Sequence, residues 1–147
     1  MRLIPFVLLA LMLLTAATLR SQEDLQVRLF EQLDDLNEDF CRDLKLTHLE
    51  AEDPALDQDE STLLQVDLDD EAVYTIIGIC DADCLDLDLY LLDADGNDLD
   101  EDTQTDAQPA IEIKGPGSFL LDVYMVDCRA EPCYFAVGLL QGPCLSG

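Results

Sequence analysis

From Ser61 onward the apolar pattern changes from a helical period to short runs whose period is nearer two. STLLQVDL (61–68), EAVYTIIGIC (71–80), LDLDLYLLD (85–93), PAIEIKGPG (109–117), SFLLDVYMVDC (118–128) and CYFAVGLLQG (133–142) are short runs rich in β-branched, leucine and aromatic residues. Turn clusters separate them: DDE, DAD, DADGND, GPG and RAEP. A period of two sends successive side chains to opposite faces, so each run predicts a strand. Spacings near ten residues with no helical pattern between them disfavour βαβ units and favour antiparallel pairing. The expected fold over 61–144 is a mainly β, jelly-roll-like antiparallel sandwich of about seven strands. In the acidic run, Leu85, Leu87, Leu89 and Leu91 would share an apolar face, with Asp86, Asp88 and Tyr90 on a solvated one. Asp95-Gly96 marks a tight hairpin turn, where glycine supplies the positive φ.

The period upstream is different. Leu25, Leu29, Leu33, Leu36, Phe40 and Leu44 are spaced by three or four, which predicts one amphipathic helix over 23–46. Ser21 is the expected N-cap, and Glu23 and Asp24 suit the positive end of the helix dipole. THLEAEDPALDQDE (47–60) reads as an acidic linker with a proline. MRLIPFVLLALMLLTAA (1–17) has the charged, apolar, small-residue order of a signal peptide, with cleavage expected between 17 and 22. Its apolar run is short for a span, which needs roughly 20 apolar residues. The expectation is therefore an exported chain, periplasmic or extracellular, without membrane insertion once the leader is removed. What remains, about 125 residues, is one domain of ordinary size.

The cysteines agree with export. Cys41, Cys80, Cys84, Cys128, Cys133 and Cys144 form an even set beyond the leader, which reads first as disulfides. The chain carries 33 acidic residues against 7 basic, a net charge of −26. Such a surface repels nucleic acid and anionic lipid, whose phosphates require lysine and arginine in number.

The segment VYTIIGICDADCLDLDLYLLDADGNDLDEDTQTDAQPAIEIKGPGSFLLDVYMVDCRAEPCYFAVGLL (73–140) resembles the bacterial pre-peptidase C-terminal (PPC) domain group. It is closer still to a set of uncharacterised small exported bacterial proteins with a related core. The carriers are the DLDLYLLDADGN strand and turn, the DTQTDAQPAIE link and the SFLLDVY strand. The resemblance implies a β-sandwich without catalytic residues, often appended to secreted peptidases; here a helix stands where the peptidase would be. It also places the cysteine pairs in loops. Local bridges, Cys80–Cys84 and Cys128–Cys133, would leave Cys41 and Cys144 to staple the helix to the C-terminal end; cross pairing of the two loops is the rival.

Active-site chemistry finds few parts. Taking Gly96 as the sixth position of a calcium loop puts Asp93 and Asp95 at ligand positions, but the first ligand becomes Leu91. A looser calcium site from Asp93, Asp95, Asn97 and Asp98 is the only cofactor reading; otherwise no cofactor is expected. Zinc would need the cysteines that export favours as disulfides, and only His48 adds a nitrogen ligand. His48 falls in the linker, no G-x-S-x-G elbow is present, and Ser118 is a turn-to-strand residue. Tyr74, Tyr90, Tyr124 and Tyr134 sit in strands as packing residues, and there is no tryptophan to build a sugar platform. The expectation is no enzyme, but a non-catalytic exported binding module with an unknown protein or polysaccharide partner. The alternatives are a passive structural or stress-protective envelope protein and a calcium-dependent adhesion or matrix component.

Overall fold

The computed structural model describes the backbone of residues 4–144 and the side chains of residues 21–144. One helix, α1 (Ile4–Phe40), precedes nine strands. These are β1 (Lys45–Leu49), β2 (Ala55–Leu56), β3 (Ser61–Leu68), β4 (Val73–Cys80), β5 (Cys84–Asp93), β6 (Asp98–Asp102), β7 (Ala110–Lys114), β8 (Gly117–Cys128) and β9 (Cys133–Gln141). One sheet has the order β1-β9-β4-β7, with β2 pairing the start of β9; the other has the order β3-β8-β5-β6. Every pairing is antiparallel. Apart from the β1–β2 connection and the β5–β6 hairpin, each connection crosses from one sheet to the other, the double-sheet arrangement of a jelly roll.

Two cores follow from the strand period. Leu64, Val66, Ile76, Leu87, Leu89, Leu91, Leu121, Val123, Met125, Phe135 and Val137 fill the space between the sheets. The intervening residues of β4 and β9 (Ile77, Ile79, Tyr134, Ala136 and Leu140) point the other way and pack under α1 with Leu29 and Leu33. β4 and β9 are thus apolar on both faces, because a sheet covers one and a helix the other. Gly138 makes room for Leu46 of β1, from which a Cβ there would lie only 2.8 Å, and it meets Leu33 of the helix at an ordinary contact distance.

The helix ends earlier than its leucine spacing predicts. It stops at Phe40, and Arg42 and Asp43 then take positive φ, turning the chain into β1. Leu44 therefore reaches the second core from a turn instead of from the helix. Phe40, expected on the packed stripe, is 76% exposed, while Cys41 takes the inward position. Ser21 lies within α1 instead of capping it, since the helical backbone runs back to Ile4. The leader expected over 1–17 falls on residues whose side chains lie outside those described. The expected linker, 47–60, holds most of β1 and all of β2, and both pair with β9. His48 is accordingly a strand residue. Its ring stacks on Phe30 with centroids 4.3 Å apart, and its Nε2 lies 3.1 Å from Asp34 Oδ1, tying β1 to the helix.

The acidic strand also departs from the simple alternation. A register shift around Asp86 turns Leu85 outward to 41% exposure, so the apolar face runs only from Leu87 to Leu91. Asp86 and Asp88, expected to be solvated, are buried at 8% and 7% exposure. The β6–β7 loop runs beside β5: Asp106 O accepts from Leu87 N, and Asp106 N donates to Asp86 Oδ1.

Candidate functional site

The calcium candidates lie together on the β5–β6 hairpin, but Asp93 is already occupied. Its Oδ1 accepts from the backbone N–H groups of Asp95 and Asn97, and the Asn97 amide donates to both of its oxygens. Those donors, the Asn97 side chain foremost, hold the Asp93 carboxyl below its ordinary range. Asp93 is thus the organiser of the turn, with Gly96 at φ 84° completing it. Asp95, Asn97 and Asp98 are exposed. Among the described residues, no three histidine, cysteine or acidic side chains are grouped to hold a metal ion.

The six cysteines form three disulfides: Cys41–Cys144, Cys80–Cys84 and Cys128–Cys133. No thiolate remains for zinc or redox chemistry. The two local bridges clip loops, while Cys41–Cys144 spans 103 residues and fastens the residue after α1 to the segment that follows β9. Three such bridges point to a non-reducing environment.

The same corner holds an open groove of about 590 Å³ between the C-terminal half of α1 and the outer face of β4 and β7. Its volume lies in the range of ligand sites. Leu36 and Ile77 form the apolar floor, with Phe40 standing exposed at the rim. Asp35 and Asp39 line the helix side, one turn apart, and no basic residue joins them. Gln32 from the helix and Gln108 from the loop before β7 add two amides, and Ala110 and Cys144 complete the wall.

The groove exists because the end of the helix is pinned. Asn37, almost fully buried, accepts from Leu44 N through its Oδ1 at 3.0 Å and donates to Leu44 O at 2.7 Å. Asn37 O also accepts from Cys41 N and Asp43 N. On the strand side, Thr75 Oγ1 donates to Gly142 O and accepts from Cys144 N, placing the other half of the bridge. A single asparagine among NEDF carries no periodic signal, which is why sequence reasoning passes over it. Phe40 and the two aspartates escape for a related reason: a stripe drawn with 3.6 periodicity gives Phe40 to the core and the acids to open solvent.

A second polar cluster sits on the outer face of the other sheet. Asp88 pairs across strands with Tyr124, and Tyr90 with Asp122. The Tyr90 hydroxyl donates to Asp88 Oδ2 and the Tyr124 hydroxyl to Asp59. Oδ1 of Asp88 and Oδ1 of Asp122 are buried without a donor. Burial pushes the Asp88 carboxyl up, and nearby Asp86, Asp102 and Glu101 add to the shift against the Tyr90 hydrogen bond. Burial also raises Asp86, beside Asp106 and Asp127.

Comparison with known protein families and with curated proteins finds no match for this chain.

Proposed function

We propose that the chain is a non-catalytic, exported binding module, and that the groove between α1 and the β4–β7 face is its binding site. The observation that supports this most is the groove itself: an apolar floor, an exposed aromatic rim and a few converging polar groups, held open by a buried asparagine and a disulfide. Its lining carries no histidine or hydroxyl nucleophile, and its one cysteine is oxidised. Export is supported by the three disulfides together with the leader-like residues 1–17. Kinship with PPC-like sandwiches belongs to the same proposal, supported by the jelly-roll strand order.

The test is to fill the groove. Ala110→Trp places an indole in the wall at the margin of the second core, where Ala110 packs, so its fold is checked beside its binding. The variant should still melt cooperatively and should lose retention of native envelope or culture-medium components that the wild type retains. Equal retention by both proteins would remove the groove as the site.

A further inference from the structure

We infer that the groove takes a basic, apolar-rich peptide segment of a partner protein. The inference rests on the groove being the binding site and adds what occupies it. Charge complementarity is the first ground. Asp35 and Asp39 face the cavity with no cation among the lining residues, and the whole chain, at −26, draws positive ligands toward it. A cation that docks here must also cover apolar surface, because Leu36, Ile77 and the 76% exposed Phe40 offer no hydrogen bonds. Lysine and arginine combine both needs, laying an aliphatic stem on the floor while the charged head reaches the rim carboxylates. An aromatic at the rim is also the residue type that anchors peptide side chains and receives cations on its face.

The two glutamines decide between a peptide and a simple organic cation. Gln32 and Gln108 stand on opposite walls, one from the helix and one from the β6–β7 loop. Each carries an acceptor and two donors, the complement of a main-chain amide. Adding to β7 as a strand is disfavoured at its first residue, where the N–H of Ala110 already donates to Asp102 Oδ2.

Calorimetric titration of the oxidised protein tests this with three capped hexapeptides: alternating lysine and leucine, glutamine and leucine, and glutamate and leucine. Dodecylammonium and spermidine are run beside them. The lysine peptide should bind best, and Asp35→Asn with Asp39→Asn should weaken it about tenfold, as loss of two exposed charge contacts allows. Asp98→Asn with Asp100→Asn removes the same charge at exposed positions of β6 that do not line the groove and should leave affinity within about twofold. Equal weakening by both pairs would show diffuse attraction to an acidic surface and overturn the inference. If the glutamine peptide binds as tightly as the lysine peptide and Ala110→Trp blocks both, the groove stands as a site and its cationic partner falls. Dodecylammonium matching the peptide would replace the peptide with a small amphiphile. No ligand sensitive to Ala110→Trp would remove the groove and the inference together.

Discussion

β4 and β9 are buried along nearly their whole length, whereas β3 and β8, in the facing sheet, alternate buried with more exposed residues. The strands meet the same inter-sheet core, so the difference lies outside it. On one side α1 covers the sheet with Leu29 and Leu33, and the outer residues of β4 and β9 become a second core. On the other side no helix is present among the described residues, and the outer residues include cross-strand pairs of aspartate and tyrosine. The covered face thus gains an edge where helix and sheet part, and that edge is the groove. On the bare face, two buried aspartates, Asp86 and Asp88, lose solvation.

The comparison can be broken most forcefully at the staple. In the chain-entropy account, a bridge closing about 100 residues is worth about 4.7 kcal/mol and one closing five about 2 kcal/mol. Cys41→Ser with Cys144→Ser should therefore lower the denaturant midpoint far more than Cys80→Ser with Cys84→Ser. Similar losses from the two pairs would show that α1 is held without its staple. Next is Leu33→Ala, which removes a side chain buried between helix and β9 and should cost about 3 kcal/mol in urea unfolding. Asn37→Ala leaves Leu44 N–H and C=O without partners and should cost about 2 kcal/mol, with loss of groove binding.

The smallest effect belongs to the bare face and has the opposite sign. Asp88 is buried with a carboxyl pushed above the ordinary value near 3.8. Between that value and the raised one the native state binds more protons than the unfolded chain, so this group's contribution to stability falls as pH rises through the window. Asp88→Asn removes that penalty. It should raise stability at pH 7, and the gain should shrink as pH falls and vanish below about pH 3.8, where wild-type Asp88 is protonated in both states. Thermal melts of both proteins across pH 3–7 measure it, and a gain that persists at pH 3 would contradict the role of the buried charge.

The difference between the two sides was partly written in the chain. VYTIIGIC and CYFAVGLL are nearly continuous apolar runs, the pattern of strands covered on both faces. STLLQVDL alternates, as a half-wet strand does. Three strands were not legible. KLTHL has only two leucines to declare itself, the two residues of β2 have no period at all, and DLDED, exposed almost throughout, is defined by hairpin return to β5. The burial of Asp86 and Asp88 was hidden too, because it comes from the β6–β7 loop and from Tyr90, neither of which local alternation encodes. For the groove, the helix stripe identified its floor, but the register at the end of α1 depends on Arg42 and Asp43 in positive φ, which residue type alone does not announce.

The central claim is that residues 21–40 of α1 are a docked cover packed on the β1-β9-β4-β7 sheet. Hydrogen exchange of Leu33→Ala with all three disulfides intact tests it most directly. The account predicts faster exchange in residues 21–40 and in β1, with β3, β5 and β8 keeping wild-type protection. Uniformly faster exchange through both sheets, or a helix whose protection is unchanged, would contradict it.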